Sequence, residues 1–192
     1  MTKRKHLLKA LLIIFIMFGF SRPVLARAVT VVSINPASVE VGPGETFSVD
    51  VVVTDVTDLW AFDVAIEYDE NVIEFDHCDV GDFLDAGMLS PDRSEPGRAH
   101  CGMTQVSDES DPKSGLGTLC TFVFTAGEGS GETYLELFAN DPGDNSSVVG
   151  LVNGISYMTI PVIEEGGFVQ VGESKKGMEV YIPLMLFNSG KN

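Results

Sequence analysis

Two histidines each precede a cysteine, at His77-Cys78 and His100-Cys101. Imidazole beside thiol is the pairing that activates a nucleophile or holds zinc. Neither chemistry fits the spacing. Zinc sites take four ligands at short, turn-like intervals, and no C-x-x-C or H-x-x-x-H occurs. No G-x-S-x-G, H-E-x-x-H or phosphate-cradling glycine loop is present. The acid pairs Asp69/Glu70 and Asp108/Glu109 carry the groups of a glycosidase. They lie in turn-forming stretches with no aromatic platform beside them, so solvated charge is expected. "NDPGDNSS" offers hard oxygen ligands in Asp141, Asp144 and Asn145, which are calcium candidates. It departs from the D-x-[DN]-x-[DN]-G pattern, and a polar turn is the alternative. The reading is a non-enzyme that requires no cofactor.

The elements that must position these residues are short alternating segments separated by turn signals, none with a helical period. They are 29–34, 46–56, 60–68, 72–78, 98–105, 117–126, 131–138, 157–162 and 166–171. Nine such segments predict an all-β fold, an antiparallel β-sandwich of about nine strands with jelly-roll topology. "WAFDVAIEY" shows the pattern best. Trp60, Phe62, Val64, Ile66 and Tyr68 share the core parity, and Ala61, Asp63, Ala65 and Glu67 face the other way. A surface of small side chains around one carboxylate suits a close-packed protein contact with few hydrogen bonds.

Residues 1–26 read as a secretory signal: Lys3, Arg4, Lys5 and Lys9 precede an apolar run from Ala10 to Phe20, too short to span a bilayer. Cleavage after Ala26, with Ala28 the second choice and an uncleaved anchor the alternative, leaves a sandwich domain at 27–172 and a polar linker with a short apolar tail, Val180 to Phe187, at 173–192. A secreted, extracellular or cell-surface location is expected, with no stable membrane span after cleavage. The mature chain keeps seven basic residues against 28 acids, which excludes nucleic acid and anionic membrane as partners. An oxidising compartment permits one disulfide among Cys78, Cys101 and Cys120, in three pairings. Cys120 shares the apolar parity of "LCTFVFT" with Phe122 and Phe124, as a small buried hydrophobe would, which favours Cys78–Cys101.

The order of segments from Val29 to Val171 resembles the cohesin domain, the sandwich module that binds dockerins. Matching pieces are "VEVGPGETFSVDVVVTDV", "FDVAIEYDENVIEF", "GLGTLCTFVF" and "TIPVIEEGGFVQV". The resemblance implies docking on a sheet made of 157–162, 60–68, 117–126 and 98–105. Asp63 would accept hydrogen bonds from a dockerin helix, and Ala61 stands where many members carry asparagine. Leu119 would be an outward apolar contact, with Thr121 and Val123 beside it and Arg98, His100 and Thr104 on the neighbouring strand. Asp63→Ala and Leu119→Asp would then each weaken docking without harming the fold. Calcium, in that family, is carried mainly by the dockerin. Two other readings remain open: a carbohydrate-binding module taking a polysaccharide, for which Tyr134 and Tyr157 are the free aromatics, and a structural subunit of an extracellular assembly.

Overall fold

A strand of 22 residues, β3 (Thr46–Glu67), organises the domain. Its first half alternates Phe47, Val49, Val51 and Val53 as the sequence predicts. At Asp55 and Asp58 the backbone takes φ of 55° and 56°, the left-handed region that aspartate tolerates better than β-branched residues. The register against β7 (Lys113–Ala126) slips on either side of Val56. The chain therefore turns without ending, and one strand serves both layers of a sandwich. The segments expected as 46–56 and 60–68 are continuous.

The computed structural model describes residues 29–85, 87–106, 111–141, 149–155 and 158–172. The leader 1–26, Asp108/Glu109, Asp144, Asn145, Tyr157 and the tail lie outside them. Asp141 is placed by its backbone alone, in the two-residue strand β9 (Asn140–Asp141). Twelve strands are present among the described residues. The first half of β3 lies between β1 (Thr30–Asn35) and β7, and β4 (Ile73–Val80) forms the edge beyond β7. The second half pairs with β6 (Arg98–Gln105) on one side, and with β8 (Gly131–Phe138) and β10 (Val149–Asn153) on the other. β5 (Gly87–Leu89) is the edge beyond β6. β12 (Gly167–Val171) closes one side by pairing antiparallel with β8 and parallel with β2 (Ser38–Val41). β11 (Val162–Glu165) also runs parallel, alongside β1, so two pairings depart from the antiparallel rule. Among the described residues no helix is long and apolar enough to cross a membrane.

The core between the layers follows the alternation wherever the register is unbroken. Phe62, Val64 and Ile66 of β3 face Phe122 and Phe124 of β7, all at most 2 % exposed. Phe124 stacks on Phe47 at 5.7 Å and meets the edge of Tyr68 at 5.3 Å, geometries that aromatic quadrupoles favour. The turn after β3 is tied by Asp69, whose Oδ1 accepts from the backbone N of Asn71 at 2.9 Å and its Nδ2 at 2.8 Å. Those donors hold the Asp69 carboxyl below its usual range. A carboxyl lowered in the folded state stabilises it above the ordinary value, and the contribution is lost as pH falls through the lowered one.

Two of the register shifts each move a residue that sequence parity misassigns. Val51 pairs with Cys120 and Val52 with Thr118, so Leu119 is the extra residue of β7. A bulge shifts parity by one, which turns Leu119 inward next to Cys120. It is 1 % exposed. Likewise Ala61 pairs with Val152 and Leu59 with Asn153, leaving Trp60 as the extra residue. Leu59 takes the core position, and Trp60, half-buried, lies 3.0 Å from where a Cβ on Gly154 would stand. The G-x-G-x-L stretch has a packing reason of its own. A Cβ on Gly117 would fall 2.2 Å from the ring of Phe83, which lies across the strand there.

Candidate protein-docking face

The second layer presents an outer surface ordered β10, β3, β6, β5. Cross-strand register sets its rows. Val152, Ala61, Thr104 and Met88 form one row; Gly150, Asp63 and Gly102 form the next. Ala65 opposes His100, and Glu67 opposes Arg98. The upper rows are built from short side chains and glycine, with Met88 exposed at the rim. Glycine is needed at 102, because a Cβ there would come 2.6 Å from Ser90 Oγ, and the amide of Ser90 donates to Gly102 O at 2.9 Å.

The structure brings together part of the predicted site and separates the rest. Ala61, Asp63, Ala65 and Glu67 share one surface with Arg98, His100 and Thr104. Thr121 and Val123 do not join them. Their strand pairs with the first half of β3 and with β4, in the opposite layer, and Thr121 donates its hydroxyl to Asp50 Oδ1 at 2.6 Å. Leu119 is core. Ala65 is fully buried, flanked in register by His100 and Phe138. His100 is buried as well. Of the predicted site residues on this surface, only Asp63, Glu67, Arg98 and Thr104 keep part of their surface, besides the nearly buried methyl of Ala61.

Asp63 is not a bare acceptor. Arg93 Nη2 and His100 Nε2 both converge on its carboxylate, and its side chain is 16 % exposed. Glu67 Oε1 accepts from Arg98 Nη1 at 2.8 Å, and the Arg98 guanidinium lies 5.3 Å from the centre of the Phe138 ring. Sequence alternation does not find Arg93, which sits on an irregular segment between β5 and β6. That segment is shaped by Asp92, whose Oδ1 accepts from Ser94 N at 2.9 Å, and by Ser94 Oγ, which accepts from His100 N at 2.9 Å. The Ser94 donors lower the Asp92 carboxyl below its usual range. One signal was available: Arg93 and Arg98 are the only arginines between residues 29 and 172.

The His–Cys pairs do not make a catalytic couple. Cys78 and Cys101 are joined as a disulfide that ties β4 to β6 across the layers. With both sulfurs turned inward, the preceding histidines face out of opposite layers. His77 Nδ1 meets Asp76 at 3.1 Å on the exposed outer side of β4, whereas His100 faces Asp63. Cys120, buried, completes a group of three sulfurs within 4.8 Å of one another, and burial raises its thiol well above the usual range.

A two-layer β domain with a smooth outer sheet has the form of a module that binds another protein. The chain belongs to the cohesin family: the model of the cohesin domain matches residues 32–159. Cohesin domains are non-catalytic protein-binding modules. Among solved structures, the non-cellulosomal cohesin of the archaeon Archaeoglobus fulgidus is 16 % identical, with a TM-score of 0.58, over 76 % of this chain and 93 % of that one. The sixth cohesin of scaffoldin B from Acetivibrio cellulolyticus, solved with a Cel5 dockerin, is 14 % identical with a TM-score of 0.61, over 75 % and 99 %. A type III cohesin from the cell-surface anchoring scaffoldin of Ruminococcus flavefaciens is 13 % identical with a TM-score of 0.57, over 80 % and 93 %. No curated protein matches the sequence.

Proposed function

We propose that this chain is an exported cohesin module that docks a dockerin-type helical partner on the outer face of β10, β3, β6 and β5. Family membership supports the class of partner, as does the dockerin bound to the Acetivibrio cohesin. The observation that carries the choice of face is the row Ala61, Thr104 and Met88 beside Gly102. A helix can approach such a surface closely, and an exposed methionine adapts to whatever packs on it. Export rests on the leader 1–26.

The test is calorimetry against calcium-loaded dockerins. Thr104→Arg places a long charged side chain at the centre of the face, and Met88→Asp puts a charge at an apolar rim that is 64 % exposed. Each is expected to weaken a cognate dockerin at least about tenfold, or about 1.4 kcal/mol, with the melting temperature unchanged. Wild-type affinity in both variants would place docking elsewhere.

A second reading, polysaccharide binding, is favoured by one observation. Tyr134, 72 % exposed, meets Phe168 at 5.3 Å on adjacent strands β8 and β12. Retention of the domain on insoluble polysaccharide, lost in Tyr134→Ala, would support it, and failure of the unmutated domain to be retained would dismiss it.

A further inference from the structure

The two carboxylates of this face already lie against cations, and Asp63 Oδ1, which has no hydrogen-bond partner among the described residues, is buried. Arg93 and His100 converge on Asp63, and Arg98 holds Glu67. What stays open is donor capacity. Among the described residues only Nη2 of Arg93 has partners; Arg93 Nε and Arg98 Nη2 are buried without one and out of reach of a docking protein, while the Arg93 side chain keeps 30 % of its surface exposed. A guanidinium has five N–H donors in a fixed fork, so Nη1 of Arg93, with no acceptor among the described residues, is left for a group from outside. The arginine is built in, not swung over by chance: the Asp92–Ser94 turn and the bond from His100 N to Ser94 Oγ fix the segment that carries it.

Charge distribution points the same way. The whole chain has 28 acids, yet between residues 29 and 172 its cations are Arg93, Arg98 and Lys113. Arg98 stands on this sheet and Arg93 reaches Asp63 from the segment between β5 and β6, each beside a carboxylate of the face, whereas Lys113, away from it, pairs with Asp85 at 2.8 Å. On a body of this sign, this is where a carboxylate meets a cation instead of a like charge.

We propose that Arg93 determines specificity on the docking face by receiving a carboxylate from the partner, so that the cognate docking helix is acidic where it meets the sheet. The proposal rests on the docking reading above and deepens it.

The experiment measures affinities of the mature domain, with Arg93→Met, Arg93→Glu and Arg93→Lys, for the calcium-loaded dockerins encoded in the same genome. For each dockerin that binds, a charge-reversed version of its docking helix, Asp or Glu to Lys, is measured as well. Circular dichroism confirms that each variant is folded. The expected result is a loss of about tenfold for Arg93→Met and about a hundredfold for Arg93→Glu. Arg93→Lys keeps most of the affinity, and the charge-reversed dockerin restores binding to Arg93→Glu. Unchanged or tighter binding by Arg93→Met and Arg93→Glu overturns the inference and leaves the docking reading standing. Tighter binding would mean that the partner competes with Arg93 for Asp63. If the unmutated domain binds no dockerin of the set, the docking reading falls and this inference with it.

Discussion

Leu119→Asp is expected to abolish the native fold, so that the variant is recovered unfolded or aggregated, while Leu116→Asp, three residues earlier, melts with the parent. The two leucines lie on the same strand, yet Leu116 is 68 % exposed and Leu119 is 1 % exposed. Removing a fully buried leucine costs about 2–5 kcal/mol through lost transfer energy and the cavity left behind. The aspartate adds a carboxyl with no partner among neighbours such as Cys120, and burying an unpaired polar group costs roughly another 1–3 kcal/mol even after it takes up a proton. The total rivals the stability of about 5–15 kcal/mol that a domain of this kind possesses. The change at Leu116 stays within about 0.5 kcal/mol, as exposed substitutions usually do. Thermal melts followed by circular dichroism decide the matter. A cooperative Leu119→Asp transition within a few degrees of the parent would mean that the bulge is misplaced and the side chain points outward. Because of that bulge, Leu119→Asp reads out folding and says nothing about docking.

The same residue marks where sequence reasoning stops. Alternation located Phe62, Val64, Ile66, Phe122 and Phe124 in the core because each lies on an unbroken ladder, and the turn at Asp69 was legible as a polar break in that alternation. Bulges carry no comparable signature. One extra residue in β7 reverses the face of everything before it, and nothing in "GLGTLCTFVF" announces that the slip falls at Leu119. Trp60 was lost in the same way. The continuity of β3 was hidden because Asp55 and Asp58 look like turn residues; here they supply left-handed backbone that bends the strand without ending it. Strand adjacency was harder still. Parity says which way a side chain points, not which layer it belongs to, so it could not correct the resemblance that set Thr121 and Val123 beside Asp63, across a sandwich that separates them. Asp63 points away from the core, as alternation predicts. Its partner Arg93 did not show, because an irregular segment has no period to read.

Replacing both Cys78 and Cys101 by serine is expected to lower the melting temperature by about 10 °C without changing the fold. The bond closes a loop with a sequence separation of 23, and chain-entropy arithmetic gives about 3.5 kcal/mol for a loop of that size. For a domain of roughly 150 residues, 1 kcal/mol moves the midpoint by about 3 °C. The fold survives because the core between the layers does not depend on the bond; what is lost is the tie between β4, an edge strand, and β6. The single replacements are expected to behave differently. Either one leaves a thiol whose sulfur position is within 4.8 Å of Cys120, so oxidative refolding can join Cys120 to the survivor. While the parent stays folded, burial keeps the Cys120 thiol protonated at neutral pH, and a protonated thiol does not attack a disulfide. Refolding removes that protection. Thiol counts in denaturant separate the cases: one free thiol in the parent, none in a re-paired single variant, one in the double variant. Introducing Cys120→Ser into each single variant blocks re-pairing and brings its melting temperature down towards that of the double variant. A double variant that melts within about 2 °C of the parent would show that the tie between the layers contributes little. Single variants that keep two free thiols after refolding in air would show that Cys120 is out of reach of either partner.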